Sequence, residues 1–94
     1  MSDSVVERIR DQITGVDRAL LDAVNRRLEL VRELWHHKER QGLPFVDSAR
    51  EESLLRHLRE VNAGPLSDEG LAELYALVLD LTKRETARVS EAQA

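Results

Sequence analysis

The length of the first amphipathic stretch constrains this chain more than any other feature. From about Ser4 to Arg40, apolar residues recur at Val6, Ile9, Ile13, Val16, Leu20 and Val24, then at Val31 and Leu34. Steps of three and four are the helical period. Gly15 falls inside the series and costs roughly 1 kcal/mol relative to alanine. The pattern resumes directly after it, so the stretch reads as one helix. A helix of about 36 residues is ~54 Å long at 1.5 Å per residue. A compact chain of 94 residues has a radius of gyration of only about 12 Å. Such a helix must project beyond anything the rest of the chain can cover.

Two groups of breakers divide what remains. Gly42-Leu43-Pro44 marks one loop and Asn62-Ala63-Gly64-Pro65 the other. Between them a second helix is expected over about 49–61, with the stripe Leu54, Leu55, Leu58 and Val61. Ser48 is its expected N-cap and Glu51 its expected capping-box partner. A third helix is expected over about 67–88, with Asp68 and Glu69 in a first turn that suits acidic side chains. Its stripe is Leu71, Leu74, Tyr75, Val78 and Leu81, and residues 89–94 read as a disordered tail. The expectation is a single all-α domain spanning 1–94, a three-helix protomer with one long N-terminal helix. The apolar stripe left uncovered on that helix would be a liability on a monomer. A second copy related by a two-fold axis, with the long helices side by side, is the simplest remedy.

Composition removes several classes of function. The chain has no cysteine, which excludes disulfides, thiolate metal sites and thiol nucleophiles. The net charge is -4, with both signs spread along the chain, and no basic stripe interleaved with aromatics points to nucleic acid. No apolar run approaches the ~20 residues of a membrane span. Met1-Ser2-Asp3-Ser4 lacks the basic and apolar start of a signal peptide, so a cytoplasmic protein is expected. His36 and His37 are adjacent, and neighbouring helical positions point about 100° apart, so they read as surface or dimer-edge residues and not as metal ligands. Neither a Ser-His-Asp set nor a glycine-rich phosphate loop is present.

The informative residues are charges that continue apolar stripes. On the first helix the series Leu20, Val24, Arg27, Val31, Leu34, Lys38 steps by four and three. Arg27 therefore interrupts the buried face and Lys38 extends it, while Arg10 lies on its flank, one turn before Ile13. Arg50 and Glu51 sit one turn before Leu54. Thr82 and Thr86 continue the third stripe. Each has an ordinary alternative: Arg27 can extend its head to solvent, Lys38 can serve the helix dipole, Glu51 can be a capping residue and Arg50 an exposed one, and the threonines can fill a mixed face. Taken together, one carboxylate, Glu51, cannot pair with four cations, Arg10, Arg27, Lys38 and Arg50. Burying an unpaired charge costs several kcal/mol. The imbalance predicts a net positive pocket for an anionic ligand, and arginine forks suit carboxylates.

The segment Ile9-Arg10-Asp11-Gln12-Ile13, then Asp17, Leu20-Leu21, Arg27, Lys38 and the run Gly42 to Glu51 resemble the all-helical chorismate mutases. The spacing Lys38, Asp47, Arg50, Glu51 carries much of the likeness, which covers about Val6 to Ala87. The resemblance implies an intertwined homodimer in which each active site borrows one arginine from the partner, at the position of Arg10. It implies that Arg10 and Arg27 hold the two carboxylates of chorismate and that Lys38 donates to the ether oxygen of the breaking bond. Glu51 would accept from the ring hydroxyl, with Asp47 nearby, and Arg50 would add to the cationic wall. No cofactor is implied. The family usually carries Gln or Glu where Thr86 stands here, so either Glu85 turns inward or a weaker or water-mediated contact serves. Thr82 replaces a small residue or serine, and Trp35 stands where glycine is common. Isochorismate pyruvate lyase, aminodeoxychorismate mutase and a non-catalytic helical dimer are the alternative readings.

Overall fold

A computed structural model describes the backbone of residues 3–93 and the side chains of residues 3–88. The chain forms α1 (Ser4–Gln41), α2 (Ser48–Val61) and α3 (Asp68–Gln93). Helix α1 begins at Asp3, whose carboxylate accepts from the backbone N–H groups of Val5 and Val6, satisfying donors that have no partner within the helix. It continues through Gly15 and ends at Gly42, in the left-handed region at φ 67°. There Leu43 N–H bonds to the Lys38 carbonyl at 2.8 Å and Gly42 N–H to the Glu39 carbonyl at 3.3 Å, the paired bonds of a Schellman stop. This turn brings the chain back over the last turns of α1, where the Phe45 ring packs on Trp35 with centroids 4.5 Å apart.

Helix α2 is capped by Asp47, whose Oδ1 accepts from Arg50 N–H at 3.0 Å, and not by Ser48 as expected. Both residue types cap well, and the extended backbone of Asp47 places the chain's entry one residue earlier. Glu51 consequently moves to the fourth helical position and is released from capping. At the start of α3, Ser67 Oγ accepts from Gly70 N–H at 3.0 Å. The α3 backbone remains helical past Arg88 to Gln93. Residues 89–93 contain no glycine or proline to stop it, and Ala94, the end of the expected tail, lies outside the described residues.

Helix α3 packs against both α1 and α2, and among the described residues α1 and α2 are held apart by it. The chain is long and thin, 61 × 32 × 16 Å, with a radius of gyration of 17.4 Å. Burial is correspondingly sparse: Leu71, Thr82 and Thr86 are the buried positions among the described residues. The N-terminal half of α1 stands free. Along it, Ile13, Val16 and Leu20 are 54%, 67% and 58% exposed, so the stripe that the sequence shows is uncovered within one chain.

The stop of α1 is open to a direct check. A Cβ added at Gly42 would meet no neighbouring atom, but the residue holds a positive φ, so its replacement acts through backbone strain alone. Gly42→Ala should cost about 1–2 kcal/mol and lower the melting temperature by several degrees, measured by circular dichroism.

Candidate active site

A cavity of about 610 Å³ opens between α1 and α2, with α3 as its floor. Its walls come from four segments, and each is placed by a feature of the local sequence. The C-terminal third of α1 contributes Arg27, Val31, Leu34 and Lys38, one helical face at three- and four-residue steps. The returning loop contributes Phe45, Val46 and Asp47, the first turns of α2 contribute Arg50, Glu51 and Leu54, and α3 contributes Leu79, Thr82, Lys83 and Thr86. Apolar and charged side chains share the lining, which suits a small ligand carrying polar groups.

Seven of the eight residues expected at the site line this one cavity: Arg27, Lys38, Asp47, Arg50, Glu51, Thr82 and Thr86. The eighth, Arg10, does not. It lies about 25 Å from Arg27 along the helix axis and is exposed. No bend in a continuous α1 can bring the two together within one chain.

Thr82 and Thr86 have defined tasks. Arg27 Nη1 donates to Thr82 Oγ1 at 2.6 Å, and Thr82 Oγ1 donates to the Val78 carbonyl at 2.7 Å. The hydroxyl thus fixes the guanidinium on the cavity wall, and among the described residues its remaining N–H groups have no other partner. Thr86 Oγ1 donates to the Thr82 carbonyl at 2.7 Å. Its one hydrogen is committed to its own helix, so Thr86 has none to offer a ligand. Glu85 does not turn inward in its place. It pairs with Arg88 at 2.8 Å and lines a separate groove between α1 and α3.

Lys38 Nζ donates to the Phe45 carbonyl at 3.4 Å. An ammonium has three donors, so this long bond orients it and leaves others for a ligand. Among the described residues, Arg27, Lys38 and Arg50 are in none of the ion pairs. Glu51 is: Lys83 Nζ lies 3.1 Å from its Oε1. The sequence reading missed Lys83, although Leu79, Thr82, Lys83 and Thr86 share one helical face at steps of three and four. The lining therefore holds four cations, Arg27, Lys38, Arg50 and Lys83, against two carboxylates, Asp47 and Glu51. Asp47 is already engaged as a cap. The excess positive charge, with three cations outside the ion pairs of the described residues, is what a dianionic ligand would neutralise.

His36 and His37 are exposed. Among the described residues no group of His, Asp or Glu is arranged to hold a metal ion, and no helix is long and apolar enough to cross a membrane.

Comparison with known proteins identifies the fold and the family. Over 52 residues the chain is 50% identical to the T-protein of Enterobacter agglomerans, a match covering 55% of this chain and 14% of that protein. It is 29% identical over 87 residues to the 4-amino-4-deoxychorismate mutase of Streptomyces venezuelae, covering 92% of this chain and 81% of that one. The structure superposes on a chorismate mutase of Thermus thermophilus (form II) with a TM-score of 0.85 and 28% identity, over 90% of this chain and 97% of the other. Form I of that enzyme gives a TM-score of 0.81 at 29% identity, over 84% and 99%. Residues 9–87 match the chorismate mutase type II family: the chain belongs to it.

Proposed function

We propose that the chain is a cytoplasmic homodimeric isomerase that rearranges chorismate to prephenate, with each active site built from two copies. The observation that carries this reading is the cavity whose Arg27, Lys38 and Arg50 lack carboxylate partners among the described residues, in a chain that belongs to the chorismate mutase type II family. Chorismate brings two carboxylates to such a wall. The Arg27 fork takes one of them, and the partner's Arg10 takes the other. A second copy accounts both for the position of Arg10, away from the cavity, and for the uncovered stripe of α1.

The reaction breaks one bond and forms another within a single substrate. It calls for no nucleophile and no proton transfer, in keeping with a lining whose two carboxylates are engaged, Asp47 as the α2 cap and Glu51 in its ion pair with Lys83. The site's work is of two kinds. The arginines hold the flexible enolpyruvyl arm over the ring, so that the reacting atoms meet. Lys38 stabilises the negative charge that grows on the ether oxygen as its bond lengthens. With Thr86 committed to its own helix, Lys38 carries that second task without a side-chain donor from position 86. Glu51 accepts the ring hydroxyl, and Asp47 closes that end of the cavity.

Of the rival substrates, isochorismate and the 4-amino analogue share the two carboxylates and differ at the ring. A non-catalytic dimer has little to recommend it, because a structural seam would be better served by leucine than by Arg27 and Lys38.

Two measurements test the reading. Purified protein should consume chorismate, followed by loss of its absorbance, and no turnover would refute the assignment. Lys38→Ala should keep its helicity and lose about 10²–10³ in kcat, the usual cost of removing one such donor. Near wild-type turnover in that variant would take Lys38 out of the mechanism.

A further inference from the structure

Among the described residues, the Lys83–Glu51 pair is the one ion pair in the cavity, and the mechanism leaves Lys83 without a task. The two side chains come from different helices and meet at 3.1 Å. The Glu51 side chain is 31% exposed and the Lys83 side chain 54%, so the pair stands at the cavity rim, where a bound ligand would cover it. Glu51 is not spent on the α2 cap, which Asp47 supplies. It is the carboxylate free to read the ring substituent, and Lys83 decides what it reads.

We propose that Lys83 is a specificity-determining residue: by holding Glu51 in an ion pair it makes the site select a substrate with a neutral hydroxyl on the ring and reject one with an ammonium there. The proposal rests on the reading that Glu51 faces the ring substituent of a chorismate-like dianion. An unpaired carboxylate in a half-enclosed site attracts an ammonium more strongly than a hydroxyl, since a charge-assisted bond to a cation is the stronger of the two. With Lys83 beside it, the same carboxylate is already neutralised. It can still accept a hydrogen bond from a hydroxyl through its free lone pairs, but an incoming ammonium meets Lys83 as a like charge.

The charge of the whole lining points the same way. Its four cations and two carboxylates leave two positive charges in excess within one chain, and the partner's Arg10 of the proposed site adds a third, so the wall favours an anion. A substrate carrying two carboxylates and one ammonium has a net charge of only -1, and its cation would enter a wall already rich in cations. Discrimination of this kind uses a repulsive element as well as an attractive one. Replacing Lys83 by a neutral residue of similar length removes the repulsion and exposes the Glu51 carboxylate in one step.

The test compares kcat/KM for chorismate and for its 4-amino-4-deoxy analogue in the wild type, Lys83→Met and Lys83→Arg. A ratio is insensitive to the amount of folded protein, and circular dichroism checks that each variant folds. The wild type should favour the hydroxyl substrate. Lys83→Met should move the ratio toward the amino substrate by about tenfold or more, equivalent to about 1.4 kcal/mol, while Lys83→Arg, which keeps the charge, should hold it near the wild-type value. A ratio unchanged in Lys83→Met, or shifted equally in Lys83→Arg, overturns the role of the pair. A wild type without turnover of chorismate instead removes the underlying reading, and this inference with it, so the two failures are told apart by the wild type alone.

Discussion

Everything in this protein follows from a mismatch of lengths. Helix α1 has 38 residues, and of the helices that follow it only α3 packs on it, toward its C-terminal part. The cavity forms over that packing, between the C-terminal part of α1 and the first turns of α2. Away from that packing, α1 leaves a stripe of valine, isoleucine and leucine facing water. Exposed apolar surface on this scale drives association. In the proposed dimer, a second copy that covers the stripe would also carry its own Arg10 into the region, so the burial that stabilises the fold and the completion of the site would be one event.

The site stores positive charge and little else. Cations held without carboxylate partners weaken a fold, and the chain limits that cost by local anchoring. Thr82 holds the Arg27 guanidinium, and the Phe45 carbonyl orients Lys38. Each anchor accepts from the cation without neutralising it, so the charge stays available to an anion. The Schellman turn at Gly42 matters for the same reason, because it returns the chain so that Phe45 reaches both Trp35 and Lys38. A stop with another geometry would send the loop elsewhere and leave the ammonium to solvent.

Much of this was legible in the sequence. The helices could be read because Gly42 and Pro44, then Gly64 and Pro65, punctuate otherwise unbroken periodicity. The inward Arg27 and Lys38 could be read because they fall on the apolar series of α1, and α3 buries Thr82 and Thr86 for the same reason. What could not be read depended on how helices meet. Asp47 and Ser48 are both good caps, and only the path of the loop chose Asp47. Lys83 sits one residue from the series that was followed, and its value comes from α2 bringing Glu51 alongside. Glu85 was open to two orientations until the packing of α3 turned it to the opposite groove and Arg88. The α3 helix outran its expected end because its last residues contain nothing that forbids a helix.

The central claim is that no single chain holds a complete site. It is tested most directly by mixing two inactive proteins, Arg10→Ala and Arg27→Ala, under conditions where subunits exchange. Each hybrid dimer pairs one intact Arg27 with one intact Arg10 across the two-fold axis. Random exchange of equal amounts should therefore restore about a quarter of wild-type turnover. A mixture that stays as inactive as its parents after exchange is demonstrated would contradict a site shared between two chains.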